Sequence, residues 1–380
     1  MKAYIENWVE NLKFKSKLES WFKSSLLNQE ELDLGNNYFK EDFYKPNWFI
    51  LIGLFIFTNI AILFTTTTFL AMVGIFDSEI GLSIALLIVS IGSFVGLEYF
   101  IKIRKLYRSG IDNALLYLAL GFLYFSILIF FDFSISVYYF PLILFVICIP
   151  AFIRYSDPLI SVTLFFSFFT FVFLFASSFP LGKTILPFLL MSFSILVYFI
   201  SKRTLISLYY IDALQIIETL SFIVFYLAGN YLVVREANAI LNINSPSIEI
   251  PFGVLFWVFT FTIPFIYIFI GIQKKDRKAI IVGLLTFVFS IFTFRYYFSV
   301  LRLEWAFVLG GLFLISFSLL ALKYLKISRF NLSIEYFEAT KFSKLESILA
   351  AQAFQSNTSS DDNLKMGGGD FGGSGSEQSY

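Results

Sequence analysis

Long apolar stretches alternate with short polar connections along most of the chain. About 20 apolar residues in a helix cross the hydrocarbon core of a bilayer, and such a segment must satisfy its own backbone polar groups there. The pattern therefore predicts an all-α fold, a polytopic helical membrane bundle of about ten transmembrane helices. The predicted spans are 48–70, 79–101, 114–131, 136–153, 159–179, 184–201, 206–234, 251–272, 279–298 and 304–325.

Lysine and arginine are concentrated in every second connection. The basic connections and the segment after the last span contain Lys102, Arg104, Lys105, Arg108, Arg154, Lys202, Arg203, Lys274, Lys275, Arg277, Lys278, Lys323, Lys326 and Arg329. The other connections contain only Lys183, Arg235, Arg295 and Arg302. Short connections rich in Lys and Arg stay in the cytoplasm. This bias predicts that both termini are cytoplasmic, as an even number of spans also requires.

The amino-acid composition excludes several classes of protein and of functional site. The chain is 58% hydrophobic and 14% charged, whereas soluble domains are about 25% charged. A net charge of +1 gives no global field towards nucleic acid. The absence of histidine excludes histidine metal ligands and general bases. Cys148 is the one cysteine, so no intramolecular disulfide forms.

Recognisable motifs for catalysis are also missing. No nucleophile–base pair or metal-ligand cluster stands out, and the glycine-rich segment 366–375 lacks the G-K-[ST] ending of a phosphate loop. We therefore expect no enzyme, no cofactor and no metal site. The expected partners are the lipid bilayer and proteins that bind the cytoplasmic termini, and the sequence does not define an oligomeric state.

Four segments make up the predicted chain. Residues 1–46 form a cytoplasmic helical leader, residues 47–326 form the transmembrane domain, and residues 327–355 form a cytoplasmic helical extension. Residues 356–380 are rich in Gly and Ser, a composition that cannot bury a core, and are expected to be disordered.

Apolar residues of the leader change helical face. One set is Ile5, Trp8, Val9 and Leu12, and the second set, rotated by about half a turn, is Phe14, Leu18, Trp21 and Phe22. This shift predicts a break near Lys13–Ser16 or two short helices. Asn28 and Glu31 have the spacing of a capping box. Two interpretations fit: an amphipathic helix in the lipid headgroups, and a helical hairpin packed on the cytoplasmic connections.

Polar residues of the seventh span are the candidate site, because ionisable groups inside a membrane are costly. On a helical wheel, five of them share about a 60° sector, and Glu218 lies about 60° beyond its edge. These five are Asp212, Gln215, Thr219, Tyr226 and Asn230. The functional interpretation is a helix that lines an aqueous cavity, with Glu218 as a cation or proton site. The structural one is that Asp212 and Gln215 lie at headgroup level and the others bond neighbouring helices.

Glu98 is a secondary candidate near the end of the second span. Lys102 follows one turn later, and an i,i+4 Glu–Lys pair accounts for this carboxylate without a functional role.

The last two predicted spans, FRYYFSVLRLEWAFVLGGLFLISFSLLALKYLK (Phe294 to Lys326), combine an aromatic Arg/Tyr cluster with a Gly-Gly final span. This stretch resembles uncharacterised bacterial multi-spanning proteins known only as predicted membrane proteins, which also share a short helical leader. The resemblance implies a bacterial inner-membrane location and carries no activity.

Two function classes follow. The first is a transporter- or channel-like protein for a small solute, ion or lipid, favoured by the polar residues of the seventh span. Two halves of five spans each would also have inverted topology, as in inverted-repeat transporters. The second is a non-transporting scaffold or sensor that acts through its cytoplasmic termini.

Overall fold

The described chain is a succession of α-helices. The structure is a computed structural model that describes residues 2–74, 78–204, 207–242 and 249–298, with isolated positions between 308 and 323. No β-strand occurs in these ranges. The helices are α1 (Glu6–Lys23), α2 (Gln29–Tyr38), α3 (Trp48–Val73), α4 (Glu79–Arg104), α5 (Ile111–Phe130), α6 (Tyr139–Tyr155), α7 (Pro158–Ser177), α8 (Pro180–Thr204), α9 (Ile211–Gly229), α10 (Tyr231–Asn242), α11 (Gly253–Lys274) and α12 (Arg277–Tyr297).

Length and composition confirm the predicted all-α membrane bundle. Within the described ranges, eight helices are long and apolar enough to cross a membrane, and α6 is a shorter apolar helix. These nine helices correspond to the first nine predicted spans. The tenth predicted span, 304–325, falls outside the described residues except for isolated helical positions. The predicted extension 327–355 and tail 356–380 also lie outside them.

The leader contacts three of the basic connections, which therefore lie at one end of the bundle. Ala3 N donates to the carbonyl of Arg154 at 2.9 Å, and Tyr4 Oη donates to Asp112 at 2.9 Å. Lys13 forms an ion pair with Asp212 at the start of α9. We call this end the leader end and the opposite end the far end.

Helix α1 is continuous through Lys13–Ser16, so the predicted break is wrong. The two apolar faces pack against different partners instead. Val9, on the first face, is 1% exposed and belongs to the core of the bundle. On the second face, Phe14 stacks on Phe39 beyond the end of α2, and Leu18 lies over Gly35 of α2. One straight helix thus satisfies both patterns.

The predicted capping box is present at the start of α2. Asn28 Oδ1 accepts from the backbone N–H of Glu31 at 2.8 Å, and Glu31 Oε2 accepts from the backbone N–H of Asn28 at 2.9 Å. These bonds satisfy donors that a helix start leaves without intrahelical partners. Helices α1 and α2 form a hairpin packed on the connections of the leader end.

The turn between α6 and α7 shows how a short connection is built. Ser156 adopts a left-handed conformation with φ 50°, and Asp157 caps α7 through two backbone N–H groups. Pro158 occupies the first position of α7, where its missing N–H costs nothing. Asp157 also accepts from Asn113 and Tyr117 of α5, each at 2.9 Å, so the turn is tied to a neighbouring helix.

Close helix pairs depend on small residues. In lipid there is no hydrophobic driving force between helices, so they associate through close packing and interhelical hydrogen bonds, which small residues allow. Ser83 of α4 and Ser126 of α5 each donate to the other's backbone carbonyl at 2.8 Å. In α12, a Cβ on Gly283 would lie 2.8 Å from Ile268 of α11. At the start of α5, Gly110 has φ 97° and touches the backbone of Leu51, so this position requires glycine.

Replacing Tyr4 with Phe tests how the leader is held. Burial raises the pKa of the Tyr4 phenol, so the hydroxyl stays protonated and donates to Asp112. We expect the Tyr4→Phe substitution to destabilise the protein by about 1.5 kcal/mol, the lower value for a hydrogen bond to a charged group. The measurement is the temperature at which buried Cys148 reacts with a thiol-specific dye in detergent. Tyr38→Phe, at an exposed tyrosine, is the control, and an equal midpoint for both variants would contradict the expectation.

Candidate functional site

Helix α9 carries the polar residues that the sequence singles out, and it packs against α7, α8, α11 and α12. It covers Ile211–Gly229 and is shorter than the predicted span 206–234. A 3-10 turn, Leu208–Tyr210, precedes it, and Asn230 leaves the helix with φ −81° and ψ 127°. The following helix, α10 (Tyr231–Asn242), covers the end of that predicted span and the first part of the connection predicted after it.

Asn230 is the junction between α9 and α10 and is fully buried. Its Oδ1 accepts from two backbone N–H groups in the first turn of α10, at 3.0 and 3.3 Å. Its Nδ2 donates to Tyr226 Oη and to Thr293 Oγ1 of α12, both at 3.0 Å. The N–H of Tyr231 donates to Thr260 Oγ1 of α11 at 2.9 Å. The break in the helix is therefore satisfied by neighbouring helices, as an apolar surrounding requires.

Asp212 lies at the leader end rather than along a cavity. It forms ion pairs with Lys13 of α1 and with Arg108, whose Nη1 is 2.9 Å from its Oδ2. Arg108 belongs to the connection between α4 and α5. Asp212 thus joins the leader, one connection and the start of α9.

Glu218 is the most deeply buried carboxylate of α9, at 4% exposure. It lies six residues beyond Asp212, about 9 Å along the helix axis at 1.5 Å per residue. Lys202 Nζ of α8 is 3.1 Å from Oε1, and Lys278 Nζ of α12 is 3.7 Å from Oε2. The lysine side chains are 39% and 34% exposed, so they reach inward from the end of the bundle. This charge cluster connects three helices.

Thr219 and Gln215 are the remaining residues of the predicted polar line. Thr219 Oγ1 donates to the backbone carbonyl of Gln215 at 2.8 Å, and Gln215 itself is half-buried. The predicted polar line is thus distributed over three separate places: the leader end, the Glu218 cluster and the Asn230 junction. At each of these places the bonds run to groups on neighbouring helices or connections.

Glu98 makes the predicted pair with Lys102, at 3.7 Å. It also accepts from Arg154 Nε of α6 at 2.7 Å and from Tyr155 Oη at 2.8 Å. The carboxylate therefore bridges α4 and α6, a contact between distant positions that helical spacing could not reveal.

Sequence reasoning missed the partners of the candidate carboxylates. In the sequence analysis, Lys202 and Lys278 serve only to predict the topology. In the structure, both form ion pairs with Glu218. The signal that could have identified them is their location within one helical turn of a span end, from which a long side chain reaches inward.

The apolar side of α9 borders two cavities that the sequence does not predict. The first, the leader-half cavity, has a volume of about 690 Å³. Helices α6, α7, α8 and α9 line it, and the apolar residues that bound it include Phe145, Leu164, Leu196 and Leu214. Arg203, Ser207 and Tyr210 line it at the leader end.

The second, the far-half cavity, has a volume of about 400 Å³. It lies between α7, α8, α9 and α11, with α10 on one side. Apolar residues such as Leu186, Val224 and Val234 line it, and Lys183 and Asn238 supply polar groups. Both cavities have volumes in the range of small-molecule sites.

An apolar cluster separates the two cavities along α7, α8 and α9. Phe165, Phe169 and Ile217 are its buried members, and Phe193 and Leu220 pack against them. Phe165 and Ile217 also line the leader-half cavity, and Leu190 and Val224, which pack against the cluster, line the far-half cavity, so the cluster lies between the two. We call it the aromatic plug.

The donor set of the described residues gives no indication of metal chemistry. Among them, no group of three His, Cys, Asp or Glu side chains could hold a metal ion. Comparison of the chain with protein-family models, curated proteins and solved structures found no match. The site must therefore be interpreted from its geometry alone.

In the Glu218 cluster, loss of the lysines should destabilise the protein more than loss of the carboxylate. Replacing both Lys202 and Lys278 with Met strands a buried carboxylate, and loss of the partners of a buried charge costs about 3–5 kcal/mol. Glu218→Gln should cost much less, because the two half-exposed lysines can turn towards water. The temperature of Cys148 labelling in detergent measures both effects.

Lys274→Met, at an exposed lysine of the same end, is the control. Adding Glu218→Gln to the double lysine variant should restore most of the lost stability. A triple variant no more stable than the double variant would show that the lysines act by some means other than pairing with Glu218.

Proposed function

We propose that the chain is a transporter of lipid-like amphiphiles in the bilayer. The observation that supports this most directly is the pair of apolar cavities on opposite sides of the aromatic plug. Two half-cavities with a closure between them suit a protein that exposes a binding site to one side at a time. Both cavities are bounded by the same three helices, α7, α8 and α9, so motion among these helices could join them.

Ions and small polar solutes fit the described residues less well. A path for them needs polar groups that face water, whereas Asp212, Glu218 and Asn230 of the predicted polar line bond to other parts of the protein. Away from its leader end, where Ser201, Arg203, Ser207 and Tyr210 lie, the leader-half cavity is lined by apolar residues, which suits hydrocarbon. We therefore propose the lipid alternative among the transported classes, and we propose no enzymatic reaction for the chain.

Membrane location is part of the same proposal. The positive-inside rule supports a cytoplasmic leader end, since the basic connections and the leader share this end. A bacterial inner membrane is the location that the resemblance of the last two spans implies.

One observation favours the second candidate, a scaffold or sensor. The α1–α2 hairpin leaves Trp21, Phe22, Leu26 and Leu34 exposed, and such a surface suits a partner protein or the lipid surface. We retain the transporter as our proposal, because the scaffold hypothesis does not account for the two cavities.

Filling the leader-half cavity tests the transporter. Leu164 lines this cavity, and Leu164→Trp would place an indole in the space. In proteoliposomes that contain fluorescent NBD-phospholipids, dithionite bleaches lipid in the outer leaflet, so transfer between leaflets appears as extra bleaching. We expect the unchanged protein to accelerate transfer and Leu164→Trp to reduce it to the level of empty liposomes.

Leu159→Trp, at an exposed position of the same helix α7, is the matched control and should leave transfer unchanged. Cys148 labelling checks that both variants are folded. Full transfer by folded Leu164→Trp would overturn the proposal. A cellular phenotype that survives Leu164→Trp but is lost on Trp21→Ser with Leu34→Ser would favour the scaffold.

A further inference from the structure

Helix α8 places one cation at each cavity. Lys183, in its first turn, lines the far-half cavity, and Arg203, in its last turn, lines the leader-half cavity. The two residues are 20 positions apart, about 30 Å at 1.5 Å per residue, which matches the hydrocarbon thickness of a bilayer. Each cavity thus combines an apolar interior with a positive charge near the expected depth of lipid headgroups.

Arg203 has no acidic partner in the part of the chain that the structure describes. The nearby carboxylates are engaged elsewhere: Glu218 pairs with Lys202 and Lys278, and Glu6 pairs with Lys2. The guanidinium is exposed. Its charge is therefore available to a ligand, unlike the charges of the basic residues in the ion-paired clusters.

Lys183 is held in place without being neutralised. Its Nζ lies 3.0 Å from the carbonyl oxygen of Leu241 and 3.3 Å from Asn242 Oδ1, at the end of α10. Both acceptors are uncharged, so the positive charge at the far-half cavity is not cancelled by them. The far half thus repeats the combination seen in the leader half.

We propose that the leader-half cavity binds an anionic phospholipid of the bilayer, with an acyl chain among the apolar residues and the phosphate on Arg203. A guanidinium binds a phosphate through two parallel N–H···O bonds. Ser207 and Tyr210 line the same end of the cavity, but Ser207 Oγ donates to Glu6 at 3.2 Å and Tyr210 Oη donates to the carbonyl of Ile153 at 2.7 Å. The phosphate contact is therefore assigned to Arg203. The lining residues include no carboxylate, and Glu6, which lies beside Ser207, is paired with Lys2. A headgroup with net negative charge therefore fits better than one that carries a choline or ethanolamine cation.

This inference rests on the proposed function and names its substrate class. The test compares NBD-phosphatidylglycerol, which is anionic, with NBD-phosphatidylcholine, which is zwitterionic, in the dithionite assay. We expect faster transfer of the anionic probe. Arg203→Gln should slow that transfer at least about tenfold, the effect of losing one charge-assisted hydrogen bond of about 1.5 kcal/mol, and should slow phosphatidylcholine transfer by a smaller factor, because the choline cation already weakens the attraction of that headgroup to Arg203.

Arg104→Gln is the matched control, because Arg104 is an exposed arginine in the last turn of α4 and lines neither cavity. Arg203→Lys, which keeps the charge but not the planar fork, should restore part of the rate. Binding is measured independently with a phosphatidylglycerol that carries a diazirine on one acyl chain. Crosslinks to α7 and α8 should disappear in Arg203→Gln while the Cys148 labelling temperature stays the same.

The outcomes separate the two proposals. Equal transfer of both probes, with no effect of Arg203→Gln, would overturn the headgroup site and leave the transporter standing. Crosslinking that depends on Arg203, without transfer of either probe, would support the headgroup site and overturn the transporter. Absence of both transfer and crosslinking that depends on Arg203 would overturn both.

Discussion

The ion pairs of Glu218 with Lys202 and Lys278 are the interaction on which the arrangement around α9 depends. A carboxylate two turns inside an apolar bundle is costly without compensation. Two lysines from α8 and α12 supply it, and their stems cross apolar surface to reach it. Because Glu218 needs both lysines, the last turn of α8 and the first turn of α12 must lie next to α9.

Satisfying the polar groups of α9 within the protein leaves its other side apolar. The Asn230 junction has the same effect at the far end, where one side chain caps α10 and bonds to Tyr226 and Thr293. On the faces of α9 towards α7 and α8, Glu218 reaches Lys202 of α8 and Ser194 of α8 donates to the carbonyl of Ser221. The α9 residues that line the two cavities on these faces are nevertheless apolar, Leu214 and Val224 among them. The two cavities lie on those faces, so the polar bonding and the apolar cavities are two aspects of one arrangement.

The sequence predicts local features well and long-range pairings poorly. Eight apolar helices of membrane-spanning length, the shorter apolar helix α6 and the Asn28–Glu31 capping box were predictable, because apolar length and i,i+3 spacing are local properties. The end of α9 was not predictable from the sequence. The helix ends at Asn230 because Thr293 of α12 and Thr260 of α11 accept hydrogen bonds from Asn230 and Tyr231 there. The continuity of α1 depends likewise on the separate positions of α2 and the bundle. Cavities depend on how four helices diverge, which no single stretch encodes.

The separation of charges along α8 is the reason for proposing an amphiphile rather than a purely apolar ligand. Cations near span ends commonly reach headgroup depth whatever a protein does, so their presence alone argues little. Lys202 and Arg203 are adjacent on α8, yet Lys202 turns inward to a carboxylate while Arg203 lines the leader-half cavity. Two neighbouring residues of one turn thus have different roles. Lys202 links α8 to α9 through Glu218, and Arg203 places a positive charge at the leader end of the apolar cavity.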